Sequence, residues 1–158
     1  MPSKILIAGL VLILIVIIWH FFGTSAQPTY SLADSRLSIS DGRGTLSPGQ
    51  VLHSMDGRWR IVYQNDGNVI GYPTTSNIPF FSTGTNVLGN LTMQADGNAV
   101  VYDASGKPLW SSKSAPSGSS NYPDNPILPP YKFILQNDRN IVITNGNDVT
   151  TWSANTKI

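Results

Sequence analysis

Gln94-Ala95-Asp96-Gly97-Asn98-Ala99-Val100-Val101-Tyr102 decides the fold, because the chain writes it three times. An earlier copy reads Gln64-Asn65-Asp66-Gly67-Asn68-Val69-Ile70-Gly71-Tyr72, and a later one reads Gln136-Asn137-Asp138-Arg139-Asn140-Ile141-Val142-Ile143-Thr144. The shared frame is Gln-x-Asp-x-Asn-x-(Val/Ile)-x-Tyr, and Thr144 alone breaks its last position. An internal repeat of this size marks units that bury a face only by packing against one another.

Each copy predicts a β-hairpin. Asp-Gly between alternating apolar residues is a hairpin signal, and a three-residue loop with a left-handed third residue is a favoured form. With residues 65–67 as that loop, Gln64 pairs with Asn68. Gln64, Asn68, Ile70 and Tyr72 then share one face, and Ile61, Tyr63 and Val69 share the other. The same count assigns Leu91, Met93, Ala99 and Val101, then Phe133, Leu135, Ile141 and Ile143, to the core. Arg139 stands where the other copies have glycine, a costly choice if the backbone there is left-handed. An aromatic residue follows each Gln by sixteen positions, namely Phe80, Trp110 and Trp152. These three are expected to meet at a common axis as packing residues rather than as stacking surfaces for a ligand.

Composition agrees with strands and turns. All nine acidic residues are Asp, a turn-former, and none is Glu, a helix-former. Charged residues make up 12% of the chain and the net charge is +1, so no basic field exists to hold nucleic acid. With no Cys there is neither a disulfide framework nor a thiolate metal site. His20 and His53 lie far apart in the sequence. No nucleophile–base pair or metal constellation can be assembled, so an enzyme, a metal site and a cofactor are not expected.

Residues 5–22 stand apart. Ile5 to Phe22 is an apolar run broken only by His20, which as a helix would span roughly 27 Å, about a thin bilayer's hydrocarbon thickness. Trp19, His20, Phe21 and Phe22 suit an amphipathic interfacial collar at its far end. Lys4 and the amino terminus supply the nearby positive charge, so residues 1–4 are expected in the cytoplasm and the rest of the chain on the far side of the membrane. A cleaved signal peptide ending near Thr24-Ser25-Ala26 is the rival reading, and the length of the apolar run opposes it. The expected organisation is a tail (1–4), a transmembrane helix in contact with lipid (5–22), a linker (23–36) and a β domain (37–158). Gln64 to Gln94 is 30 residues and Gln94 to Gln136 is 42, so 12 extra residues fall between copies two and three. The Ser/Pro/Asn-rich stretch from Ser114 to Pro130 is expected to carry them as an exposed loop.

From about Leu37 onward the chain resembles the bulb-type, or monocot mannose-binding, lectins. The three motifs carry the resemblance. So do Leu46-Ser47-Pro48-Gly49-Gln50-Val51-Leu52, which looks like that family's opening strand and turn, and Asp103-Ala104-Ser105-Gly106-Lys107-Pro108-Leu109-Trp110, which looks like its link from motif to tryptophan. The resemblance implies an all-β fold, a β-prism of three four-stranded sheets with pseudo-threefold symmetry. The plant members' usual disulfide has no counterpart here. It also implies mannose-like glycans as partners.

The residues themselves suit that partner. A hexose wants a carboxylate acceptor, amides that donate and accept, a phenol, and an apolar patch for its C–H side. Gln64, Asp66, Asn68, Ile70 and Tyr72 form one such set, and Gln94, Asp96, Asn98, Val100 and Tyr102 a second. Gln136, Asp138, Asn140 and Val142 form a third, which should bind worst because Thr144 is shorter than tyrosine. The competing expectation is a structural protein of a membrane-containing assembly, such as a virus particle or cell envelope, whose lectin-like head docks on other proteins through the Ser114 to Pro130 loop. Asn90-Leu91-Thr92 is a glycosylation sequon placed on a strand.

Overall fold

A computed structural model describes residues 35–115 and 128–158. The expected tail, transmembrane helix and most of the linker, together with the middle of the Ser114 to Pro130 loop, lie outside these residues. Among the described residues no helix is long and apolar enough to cross a membrane. The helical content there is a single 3-10 turn at Ile39–Asp41.

Among the described residues twelve strands form three four-stranded antiparallel sheets, the expected prism. The first sheet holds β3 (Val51–His53), β4 (Trp59–Tyr63), β5 (Val69–Pro73) and β6 (Phe81–Ser82). The second holds β2 (Thr45–Leu46), β7 (Gly89–Met93), β8 (Ala99–Asp103) and β9 (Pro108–Ser111). The third holds β1 (Arg36–Ser38), β10 (Lys132–Leu135), β11 (Ile141–Thr144) and β12 (Thr150–Ser153). Each repeat supplies three strands, and the fourth comes from the run β1–β2–β3 that precedes them all. Strand β1 therefore pairs with β10 at the other end of the sequence, Leu37 facing Phe133. Leu46 faces Leu91 and Leu52 faces Ile61 in the same way. These three leucines are fully buried. Burying a leucine contributes about 1.5–3 kcal/mol, so each opening strand is held by its side chain as well as by its ladder.

The hairpins take the expected register. Gln64 N–H donates to Asn68 O at 2.8 Å, Gln94 N–H to Asn98 O at 2.7 Å, and Gln136 N–H to Asn140 O at 2.8 Å. Gly67 (φ +91°), Gly97 (φ +90°) and Arg139 (φ +73°) occupy the left-handed third loop position. Two constraints select glycine in the first two copies. A Cβ at Gly67 would lie 2.5 Å from the backbone of Val87, and one at Gly97 would lie 3.1 Å from the ring of Tyr131. Arg139 bears the same strained φ, but its guanidinium lies over Trp59 and Phe80, and its Nε donates to Thr156 O at 2.7 Å. Those contacts offset the strain.

Every residue assigned to the core face is buried. Ile61, Tyr63, Val69, Ala99, Val101, Phe133, Ile141 and Ile143 join Leu91, Met93 and Leu135 in one cluster. The aromatic expectation needs correcting in the first copy. Trp110 and Trp152 do meet edge to face, with centroids 6.5 Å apart. They pair with Val101 and Ile143, whereas the equivalent Gly71 pairs with Phe81, not Phe80. The first repeat has one extra residue before β6, which moves the aromatic position by one. Phe81 therefore packs on Trp110 at 6.0 Å, and Phe80 turns to Trp59 at 5.9 Å.

Candidate functional site

The three motifs lie on the outer faces of the sheets, where alternation along the hairpin strands puts Gln, Asn, Ile or Val, and Tyr together. In the first two copies they form matched constellations. Gln64 Nε2 donates to the Tyr72 hydroxyl at 3.2 Å, and Gln94 Nε2 donates to the Tyr102 hydroxyl at 2.6 Å. A phenol oxygen that accepts the amide proton keeps its own proton for a ligand, and the amide's carbonyl oxygen remains an acceptor. Asp66 and Asp96 are exposed at the turn. Each uses Oδ1 to accept the N–H of the residue two further on, Asn68 or Asn98, at 2.9 Å. Their Oδ2 atoms have no protein partner among the described residues. Each face thus offers a carboxylate oxygen, an amide and a phenol on a stiff two-stranded frame.

Asparagine has a second task that the sequence reading missed. Asn68 Oδ1 accepts from Thr83 Oγ1 and from the N–H of Gly84, both at 3.0 Å. Asn98 Oδ1 accepts the N–H of Ser114 at 2.9 Å, and Asn140 Oδ1 accepts that of Thr156 at 3.1 Å. Hydroxyls return the tie: Thr85, Ser114 and Thr156 donate to the carbonyls of Gly67, Gly97 and Arg139 at 2.7, 2.7 and 2.9 Å. The motif turn is therefore a socket for the chain leaving the last strand of its own repeat. A recurring hydroxyl eighteen or so positions after each motif Asp was the available signal. Ser114 belongs to this socket and is 1% exposed, so it is not part of an exposed loop as expected.

The third copy differs by more than one side chain. Asn140, Val142 and Thr144 are 8%, 2% and 5% exposed. Gln136 has Thr144 where the other copies have tyrosine, and among the described residues Thr144 Oγ1 is buried without a hydrogen-bond partner. The turn is also gripped from outside. Asn137 O accepts from Arg58 Nη2 at 2.8 Å and from Trp59 Nε1 at 2.9 Å, and Asn137 Oδ1 accepts the N–H of Asp56 at 3.2 Å. Asp138 stays exposed and keeps its turn bond to Asn140. Val100 in the second copy is 3% exposed, so Ile70 in the first copy offers the larger apolar surface.

One outward position varies among the repeats. Arg60, Asn90 and Lys132 are the cross-strand partners of Tyr72, Tyr102 and Thr144. Arg60 lies over the Tyr72 ring at 5.6 Å, and Lys132 is ion-paired to Asp148. Asn90 lines an open hollow of about 540 Å³ with Thr92, Tyr102 and Asp103. The Asn90 sequon thus sits on the outer face beside the second constellation. His53, cross-strand from Arg60, has its pKa lowered by burial and secondarily by the Arg60 charge. Among the described residues no three His, Asp or Glu side chains group as metal ligands would.

Comparison with known proteins places this arrangement. No family model matches the sequence. The mannose-specific lectin of Narcissus pseudonarcissus is 41% identical over 61 residues, 37% of this chain and 52% of that one, so the match spans about half of that relative. The mannose-specific agglutinin of snowdrop (Galanthus nivalis) bulbs, solved with methyl-alpha-D-mannoside, is 34% identical, covering 79% of this chain and 99% of its own, with a TM-score of 0.54. A Marasmius oreades lectin has a TM-score of 0.63 at 27% identity over 78% of this chain and 92% of its own. A monomeric mannose-binding lectin from Gastrodia elata has a TM-score of 0.60 at 28% identity, over 78% and 99%. The three-sheet prism with its repeated motif belongs to the bulb-type mannose-binding lectin family. Its relatives are lectins, not enzymes.

Proposed function

We propose that the chain is a membrane-anchored lectin whose first two outer faces bind mannose-type hexoses. The carrying observation is the twin Gln–Tyr hydrogen bond, Gln64 to Tyr72 and Gln94 to Tyr102, each beside an aspartate with an uncommitted carboxylate oxygen. In this reading Asp66 and Asp96 accept a sugar hydroxyl, Gln64 and Gln94 accept or donate to its neighbour, and Tyr72 and Tyr102 donate to the next. Ile70 meets the C–H side of the ring on the first face, whereas the buried Val100 offers the second face almost no such surface. Relatives described as mannose-specific, one of them solved with a methyl mannoside, support the choice of sugar. Shallow sites of this kind bind at about millimolar Kd, some −4 kcal/mol, so useful retention comes from two sites on one head.

Residues 5–22 would hold the head on the non-cytoplasmic side of a cell or virion membrane, residues 23–36 would link the two, and residues 37–158 would be the lectin domain. The support is the apolar run and the charge of Lys4. The full chain in detergent, applied to a glycan array, should be retained on mannose-terminated glycans and released by free methyl mannoside. Absence of any glycan-dependent retention would refute the sugar reading.

The third copy favours a second role for the motif. Its socket bonds are kept while Asn140 and Val142 are buried and its turn is gripped at Asn137 by Arg58 and Trp59, which is how a motif held for folding would look. A head that docks on proteins of a membrane-containing assembly would use all three copies in that way. Such a head would show assembly defects, and no sugar dependence, when Asp66 and Asp96 are replaced.

A further inference from the structure

Resting on the sugar reading above, we propose that the first repeat's face prefers an acidic mannose-type glycan over a neutral one, with Arg60 as the counter-ion to a carboxylate, sulfate or phosphate. Arg60 sits on the sugar face itself, directly across the ladder from Tyr72 and two residues from Val62 on the same face. Its guanidinium lies over the Tyr72 ring, 5.6 Å from the centroid, and that tyrosine carries the hydrogen bond from Gln64. Nη2 donates to Asn77 Oδ1 at 3.0 Å, and Nε is buried with no acceptor. No carboxylate lies within ion-pair reach of Arg60 among the described residues. By contrast Arg58 is paired with Asp56, and Lys132 with Asp148. An aromatic face and one amide hold this guanidinium in place and leave its positive charge uncompensated.

The position also sets where the anion must be. Asn68 and Tyr72 are four residues apart on one strand, about 13 Å at the rise of an antiparallel strand. A hexose held by Asp66 near the turn thus has its acidic substituent, or an acidic neighbouring sugar, at the Tyr72 end. That placement keeps the ligand's charge away from the Asp66 carboxylate and brings it to Arg60. The second face has the neutral Asn90 at the same register position, beside an open hollow where the nearby Lys107 charge falls on Asp103, and so has no unpaired cation at that position. One head would then hold two differently tuned sites, one acidic and one neutral.

The test is a site-resolved NMR titration of the full chain in detergent with methyl mannoside and with mannose 6-phosphate. Signals of Gln64 and Tyr72 report the first face, and those of Gln94 and Tyr102 the second. The phosphorylated sugar should bind the first face about fivefold or more tighter than the neutral one, the scale of one charge-assisted hydrogen bond. That ratio should shrink with added salt and should be absent at the second face. Arg60→Asn should bring the first face's ratio down to that of the second, and Asn90→Arg should raise the second face's ratio. Equal affinities at the first face, or a preference that survives Arg60→Asn, overturns this inference and leaves the sugar reading intact. Shifts from neither sugar at either face sink the sugar reading, and this inference with it.

Discussion

The side-chain oxygen of Asn98 accepts the backbone N–H of Ser114 at 2.9 Å, sixteen residues on, and so ties a motif turn to the chain leaving the same repeat. The same oxygen accepts from Ser111 Oγ at 3.2 Å and Ser112 Oγ at 3.3 Å, and Ser112 and Ser114 are both buried. Asn98→Ala would leave those donors without their acceptor. The expected loss is about 1–3 kcal/mol of unfolding free energy, the cost of orphaning buried polar groups. Denaturant unfolding measures it, and a loss below about 0.5 kcal/mol would mean that the socket contributes little.

Much of this fold was legible because three copies constrain one another. A single Asp-Gly-Asn stretch predicts only a turn, but three copies with apolar pairs at fixed offsets predict the register and the core face, while the three four-stranded sheets were implied by the resemblance to the bulb-type lectins. Leu91 and Met93, or Phe133 and Leu135, could be assigned from period two alone. The exchange of opening strands was not legible, since β1, β2 and β3 are only two or three residues long and carry no periodic signal. Phe80 was misassigned by one because one extra residue before β6 shifts register without altering composition. The site was half legible. Gln, Asp and Tyr were read as ligand groups on the face where they stand, but asparagine's socket bonds depend on hydroxyls far along the chain. Arg60 was overlooked because its role arises from a cross-strand neighbour, which spacing within the motif does not reveal.

Thr144 is the clearest departure of the third copy from the other two. Its hydroxyl is buried with no partner, and a valine of the same shape would remove that burden. Thr144→Val should therefore stabilise the protein, by up to about 1–3 kcal/mol, the cost of a buried unpaired polar group. Thermal unfolding checks the direction. A fall in Tm would show that Oγ1 is satisfied after all.

Trp152 is 8% exposed and meets Trp110 at 6.5 Å near the junction of the sheets. Trp152→Ala should cost about 3–5 kcal/mol, as truncation of a large buried aromatic does. A change under about 1 kcal/mol in chemical denaturation would contradict packing of these rings as a structural centre.

His53 gives the stability a sign with pH. Burial first, and the charge of Arg60 second, hold its pKa below 6.5 in the folded protein. Between that folded value and 6.5 the unfolded chain binds more protons, so this group's contribution to stability falls as pH falls and is regained above 6.5. His53→Asn should remove that part of the slope. Unfolding at a series of pH values from 7 downward tests it, and an unchanged slope in the variant would exclude His53 as the source.

The measurement closest to the central claim counts sites. An NMR titration of the full chain with methyl mannoside, at sugar concentrations of about tens of millimolar for sites of millimolar Kd, should shift the signals of Gln64 and Asn68 and those of Gln94 and Asn98. The signals of Gln136 and Asn140 should stay still. Asp66→Ala should silence the first pair alone, and Asp96→Ala the second alone. Shifts at all three copies, at the third alone, or at none would contradict two sugar faces built on the Gln–Tyr pairs.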